Sequence, residues 1–592
     1  MRIACCLALA ALLIPAAQAN AQDGRALIAF LPAADDEGLL DRMERLGAVG
    51  VTSPTVGGYD PVQMYLDIGQ GARVSTRVYE DEIPSLRLLP SERIGGWRAA
   101  VDRAEDAPGD VVPGLLGQAV QNAGGRTAYV GVEGLTHDEA TTVADQAGFV
   151  DTVDLGDARG FGSRLDAALA DHELVAARLP VGASVELLDQ LGTDAFTIVV
   201  RAPVPGPLEQ LPTAASLGEG VLTSRTTRRD GMVAATDYAP TILDRLGIDE
   251  PDDMDGHLME ATGGDAGDVE SLVDRLAHVK SRRTLALELT FGVWLLVLAA
   301  LAIFGRARLG LRLGLLTAMW LPGVALVTGA IDPSRNVEAG ALAVASLALA
   351  LVTDRFVRWP RSPAVPAAVV LLAHAVDLIA GSPLIVRSLA GPNPGFGARF
   401  FGIGNELEAI LAVMVLLGAG AFLFSKEGQT PFRNRVPLGF AVICAVAAVF
   451  IGAGRLGADV GGVITLGAGA AAAVLASLPG GISRRAVLIA LLVPALAVGA
   501  LAVIDVVTGG DAHLTRSVLA AESPGELVDV AERRFDISWD NLQQGTTPLS
   551  VAVFALALLY GVLNRREVFR PLNGDRAFAA GMWGALAATV VG

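Results

Sequence analysis

The sequence predicts two folds in one chain, an N-terminal α/β sandwich built on a mostly parallel sheet and a C-terminal all-α polytopic transmembrane bundle. Three observations predict it. Of 592 residues 52% are hydrophobic and only 18% charged, which is too apolar for an ordinary soluble protein. The net charge of −18 is unevenly spread: carboxylates outnumber arginines more than twofold between Asp23 and Arg275, whereas the chain beyond Thr284 is slightly basic. Short β-branched runs alternate with amphipathic stretches in the first part, and long apolar runs follow in the second. The acidic part repels phosphate, so nucleic acid is not expected as a partner. Cys5 and Cys6 fall in the leader and Cys444 stands alone in an apolar run, so neither a disulfide framework nor a cysteine metal cluster can form.

Residues 1–21 have Arg2, an apolar stretch and then small residues, the pattern of a secretory signal peptide with cleavage near Ala19 or Ala21. A short membrane anchor is the alternative, and either places the next segment outside the cytoplasm. In the extracytoplasmic domain, 22–250, strands are expected at ALIAFL from Ala26, AVGVTS from Ala48, TAYVGV from Thr127, ELVAARL from Glu173 and FTIVVRA from Phe196. Helical patterns lie between them, at EGLLDRMERLG from Glu37, PGLLGQAVQNAG from Pro113, RLDAALADH from Arg164 and ASVELLDQLG from Ala183. Such alternation implies crossover connections and a sheet covered on both faces. Residues 251–283 are acidic and Gly-rich and are expected to form a linker.

The transmembrane domain, 284–592, is expected to hold about ten helices, near 285–304, 313–331, 339–352, 364–380, 407–424, 438–454, 460–478, 486–507, 549–563 and 577–591. Every second connection is basic, for example Arg306, Arg308 and Arg312, then Arg355, Arg358 and Arg361, which sets those loops in the cytoplasm. This register agrees with an exported N-terminal domain in a multi-pass protein of the plasma membrane. The last run ends at Gly592 without a polar flank, so whether the chain continues stays open.

Polar residues without an anchoring duty collect on the opposite side. The outer loop 381–406 carries Arg387, Arg399, Asn405 and Glu406, with Glu408 just beyond, and His374 and Asp377 precede it on one helical face. Arg455 and Asp459 sit in a short connection, and a longer outer segment, 508–547, contains an amphipathic stretch with Arg533 and Arg534. Ionisable groups at membrane depth cost several kcal/mol unless paired or hydrated, so they mark a pathway or a site. One outward-facing cavity is expected, in which Arg387, Arg399, Asn405, Arg455 and Asp459 hold an anionic group and Glu406 or Asp377 acts as base or ion-coupling carboxylate. Structural ion pairs such as Arg399 with Glu406 are the competing explanation.

No GxSxG elbow, HExxH helix or CxxC pair is present, and the only lysines, Lys280 and Lys426, exclude a Walker-type phosphate loop. The stretch from Thr223 to Glu260, with Asp237, Ala239, Pro240, Thr241, Leu243, Leu246, Gly247, Ile248, Pro251 and Gly256, resembles the C-terminal portion of the alkaline phosphatase and sulfatase superfamily. The opening strand, the helix from Glu37 and the TSPTVGGYDPVQMYLDIGQGAR segment are similar to the region carrying that superfamily's nucleophile. The resemblance spans about 26–260 and implies an alkaline phosphatase-like domain with two zinc or manganese ions held by Asp and His. This sequence departs from that pattern: Asp35 and Asp36 arrive late after the first strand, and FTIVVRA leads into Pro203 rather than an Asp-His pair. Thr52, Ser53 and Thr55 are then a vestigial nucleophile loop in a domain kept without its metal, and no cofactor is expected. The membrane half resembles uncharacterised multi-span proteins of Gram-positive bacteria through Gly397, Ala398, Arg399, Phe400, Gly402, Ile403, Gly404, Asn405 and Glu406.

The expected function is that of a cell-envelope membrane protein that transports or modifies a lipid-linked or anionic precursor, in contact with membrane lipids, with a non-catalytic ectodomain. Two alternatives stay open. One is a membrane-anchored phosphatase or phosphotransferase with a divalent metal on residues such as Asp35, Asp36 and Asp194; the other is a structural envelope scaffold.

Overall fold

The computed structural model describes residues 24–478, apart from 33–37, 57–59, 77–78, 80, 108–110, 182–186, 188–194, 207–209, 393, 398, 425–434 and 459, together with 575–591 and a few single positions between. The chain divides into two compact units, Met1–Glu270 and Ser271–Gly592. The signal peptide falls outside the described residues, as do Asp35, Asp36, Asp194, Asp459 and the segment 508–547.

The first unit is built on a ten-stranded sheet in the order β12-β10-β2-β9-β8-β1-β7-β5-β6, with β11 also paired to β2. Its strands are β1 (Ala26–Leu31), β2 (Ala48–Ser53), β5 (Thr127–Val132), β6 (Thr152–Gly156), β7 (Leu174–Arg178), β8 (Phe196–Arg201), β9 (Leu211–Ala215), β10 (Val221–Ser224), β11 (Met232–Ala234) and β12 (Met259–Thr262). A separate hairpin pairs β3 (Arg87–Leu88) with β4 (Ile94–Gly95). The five strands expected from the sequence form. The sheet is mixed: β9 runs antiparallel to both β2 and β8, and β12 antiparallel to β10, while the other pairs are parallel. Alternation of strands with helices could not show this, because β9, from Leu211, follows β8, ending at Arg201, through a short connection. Within 251–283 the chain contributes the edge strand β12 and then opens a long helix at Ala266.

Central β1 is buried at every position, as an apolar run between two parallel neighbours must be. On one face α2 (Pro61–Gln70), α4 (Leu115–Asn122) and α6 (Tyr238–Leu246) bury Met64, Leu116 and Ile242 against Ile28, Phe30, Ala176 and Ile198. Leu27, Ala29, Val175 and Val199 of the alternate register are equally buried. The helices α1 (Leu39–Met43) and α5 (Phe161–Asp171) contact β9 and the β5 and β7 strands, and α3 (Trp97–Glu105) adds Trp97 to the core. Local chemistry sets the boundaries. Asp60 accepts a hydrogen bond from the Val62 N–H at 2.8 Å ahead of Pro61, and α6 stops where Gly247 takes a left-handed conformation.

The second unit is helical: α7 (Ala266–Ile303), α8 (Ala307–Ile331), α9 (Arg335–Phe356), α10 (Ala364–Ile379), α11 (Asn405–Leu423), α12 (Val436–Gly452), α13 (Val460–Ser477) and α14 (Arg576–Val591). Three helices are long and apolar enough to cross a membrane, Arg308–Ile331, Arg335–Phe356 and Asn405–Leu423; Leu289–Leu301, Ala364–Ile379, Val436–Gly452, Gly461–Ser477 and Arg576–Val591 are shorter apolar helices. Of the ten expected spans, 486–507 and 549–563 lie outside the described residues except for a few single positions. Large apolar side chains face outward along these helices, among them Leu296, Leu311, Leu372 and Phe422, the surface a lipid solvent accommodates.

Helix α11 lies at the centre, against α10, α12, α13 and α14. Glycines allow the backbones to close: a Cβ on Gly581 would stand 2.6 Å from the Leu416 carbonyl oxygen, and one on Gly584 2.7 Å from that of Gly469. Gly581→Ala is therefore expected to destabilise the folded chain by about 1–3 kcal/mol through overpacking. Gly340→Ala, where a Cβ meets nothing within 4 Å, should leave it unchanged. Thermal unfolding of the two full-length variants in detergent checks this.

Candidate functional site

Polar side chains gather at the carboxyl ends of β2, β10 and β11, the edge where open α/β sheets take ligands. Thr52, Ser53 and Thr55, the expected nucleophile loop, are all fully buried. The Thr52 hydroxyl lies 2.7 Å from both the Thr213 hydroxyl and the Tyr238 phenol, so it is occupied in joining β2 to β9 and α6. Burial holds the Tyr238 phenol well above its usual range. The Ser53 hydroxyl has no hydrogen-bond partner among the described residues. Asp237, from the DYAPT segment, is saturated: it accepts from Ser224 Oγ at 2.7 Å, Thr226 Oγ1 at 2.5 Å, the Ala234 N–H at 2.8 Å and the His257 N–H at 3.0 Å. Four donors fill a carboxylate's acceptor sites, so Asp237 fastens the strand ends together. Among the described residues no group of three or more His, Cys, Asp or Glu is placed to hold a metal ion.

Two buried clusters beside this edge escaped the sequence reading. In the first, Asp67 on α2 is fully buried; its Oδ1 accepts from Gln63 at 2.8 Å and Gln70 at 3.0 Å, while Oδ2 has no hydrogen-bond partner among the described residues. Arg103 donates to Gln63 Oε1 at 2.9 Å and to the Asp81 carbonyl at 3.0 Å, and its guanidinium lies 3.4 Å from the Tyr79 ring centre. Burial pushes the Asp67 carboxyl up to about 8, against the opposing pull of its amide donors, Arg73 and Arg103. In the second, Glu139 accepts from Arg178 at the end of β7 and from the phenols of Tyr65 and Tyr129, each at 3.3 Å. Tyr129 also meets His137 Nδ1 at 3.1 Å. Burial, with Glu139 adjacent, pushes Asp138 up to about 6. The only sequence signal for either cluster was a polar residue at a position that helical or strand spacing turns inward.

In the second unit the expected site residues divide. Asp377 accepts from the Leu384 N–H at 3.0 Å and the Ile385 N–H at 2.8 Å, one on each carboxylate oxygen, and so closes the turn after α10. Arg399 donates to the Ile403 carbonyl at 2.5 Å and reaches those of Gly457 and Ala458 at 3.5 and 3.4 Å. The Ile403 N–H bonds the Gly457 carbonyl at 3.0 Å, joining the loop before α11 to the connection between α12 and α13. Gly402 has positive φ, and a Cβ there would stand 2.3 Å from the Gly457 oxygen, which accounts for a glycine at this crossing. Asn405 and Glu406 are exposed in the first turn of α11, Arg455 is exposed in the 454–457 turn, and Glu408 is buried. His374 is buried, with Nδ1 2.8 Å from the Val370 carbonyl of its own helix.

Residues absent from the expected set hold this region. The fully buried Arg275 donates to Asp332, to Glu338 at 3.4 Å, and twice to the Arg387 carbonyl, at 3.1 and 2.6 Å. Arg387 is thus fixed by its backbone, while its side chain is half-buried and its Nε has no hydrogen-bond partner among the described residues.

The raised Asp67 value sets a pH dependence. The stabilisation that comes from protonating Asp67 in the fold is fully present below its ordinary value of 3.8 and is lost as pH rises through about 8, at up to about 1.4 kcal/mol per pH unit. Asp67→Asn should flatten that slope and be the more stable form at alkaline pH, as denaturant titrations of the full chain across this range would measure. The chain matches no protein-family model, and no curated protein matches it.

Proposed function

We propose that the chain is an integral membrane protein of the bacterial cell envelope that transports or modifies a lipid-linked or anionic precursor, with its first unit outside the cytoplasm as a binding module. The carrying observation is the segment between α10 and α11, irregular among its described residues apart from one 3-10 turn at Pro394–Phe396, which buries Ile385, Val386, Leu389, Phe400 and Ile403 and holds a half-buried Arg387, with Asn405 and Glu406 exposed just beyond it in the first turn of α11. Irregular backbone is tolerated beside membrane helices only where protein buries it or a polar passage runs along it. Its side-chain braces, Asp377 and Arg399, hold backbone groups and leave recognition to the residues on the segment. The basic connections between apolar runs support the orientation. A saturated Asp237 and an occupied Thr52 hydroxyl favour binding over hydrolysis in the first unit.

The test is reconstitution of the full chain in liposomes containing a fluorescent polyprenyl-phosphate-linked sugar. Movement between leaflets is followed by quenching from outside, and chemical change by chromatography. Protein-dependent transfer or conversion is expected, lost on Gly402→Val, which breaks the crossing at Gly457. A wild-type chain that neither moves nor changes the lipid would remove this function.

A further inference from the structure

We propose that Arg387 is the anion-recognition residue of the second unit, and that its ligand is a phosphate group. The site deepens the membrane reading above and rests on it for the ligand's setting. A guanidinium carries five donors and cannot shed its charge, so a partly buried one without an acceptor carries a desolvation cost that a bound anion would offset. Arg387 is in that position: its Nε is buried and without a partner among the described residues. Asp332 and Glu338, which hold the arginine gripping its carbonyl, pair with Arg275.

The backbone beneath Arg387 is rigid. Arg275 grips its carbonyl from one side, and Asp377 receives the Leu384 and Ile385 N–H groups three and two residues earlier. Gly329 of α8 lies against the same turn, where a Cβ would stand 3.0 Å from the Leu384 carbonyl oxygen and 3.3 Å from the Arg387 carbonyl carbon. A fixed main chain and a planar fork whose Nε meets no partner among the described residues suit bidentate capture of a phosphate's oxygens. Arg275 acts as a positioning residue, since it touches only the Arg387 main chain. A lipid headgroup and free phosphate share this chemistry.

The experiment is a thermal-shift titration of the full chain in neutral detergent with phosphatidylglycerol, with phosphatidylcholine and with inorganic phosphate. A saturable shift from phosphatidylglycerol but not phosphatidylcholine, weakened on the order of tenfold or more in Arg387→Gln, supports a lipid-borne phosphate; the same pattern with inorganic phosphate supports a free one. Arg306→Gln, at an exposed arginine, should retain the wild-type response. If Arg387→Gln does not fold, Arg387→Lys keeps the charge without the fork and should bind several-fold more weakly. No shift from any phosphate, or a shift undiminished in both Arg387 variants, overturns the proposal. Phosphate binding through Arg387 without lipid transfer or conversion would sink the function and leave the site; transfer indifferent to Arg387→Gln would do the reverse.

Discussion

The helical unit is organised by one buried cation. Arg275 has no exposed surface, and removing a guanidinium from water costs several kcal/mol unless acceptors surround it. It finds them in the Asp332 and Glu338 side chains and the Arg387 carbonyl, so the start of α7, the turn between α8 and α9, the first turn of α9 and the loop after α10 must all be in place together. Loss of one partner would strand charge in the interior, which makes the arrangement close to all-or-none. Asp332 and Glu338 both engage this cation, and the Nε of Arg387 has no hydrogen-bond partner among the described residues.

The first unit treats its polar groups differently. At the carboxyl edge of β2, β10 and β11, hydroxyls and a carboxylate satisfy one another: Thr52 with Thr213 and Tyr238, and Asp237 with Ser224, Thr226 and two backbone N–H groups. These contacts turn would-be reactive groups into fasteners between elements distant in sequence. Not every group is matched among the described residues: the Ser53 hydroxyl has no hydrogen-bond partner, and Asp67, a buried carboxyl with one oxygen unmatched, is kept neutral over most of the physiological range.

Much of this was legible in the sequence, and the parts that were not have physical reasons. Apolar runs such as ALIAFL and FTIVVR announce strands of a covered sheet, because this depends on local chemistry. The antiparallel insertion of β9 was hidden, since pairing direction is fixed by neighbours that arrive from elsewhere in the chain. Asp377, Arg399 and Arg387 were visible as charges beside an apolar stretch. Their separate duties were not, because amides seven and eight residues on from Asp377, and carbonyls near residue 457, become neighbours only after folding. Arg275 was missed for another reason: an acidic, Gly-rich stretch looks like a linker until its arginine is seen inside a helix.

The order of strands along the chain governs when the sheet can form. β1 emerges first, yet both its neighbours, β7 and β8, begin only at residues 174 and 196, and β2 waits for β9, β10 and β11 at residues 211, 221 and 232. During synthesis the most apolar strand therefore has two open edges for more than half the unit's length, a state prone to mispairing. The last strand to arrive is β12 at residues 259–262, which joins β10 at the sheet's edge only a few residues before α7 begins. A chain handed across a membrane in an extended form avoids this exposure on the ribosome, and one that folds too early meets it.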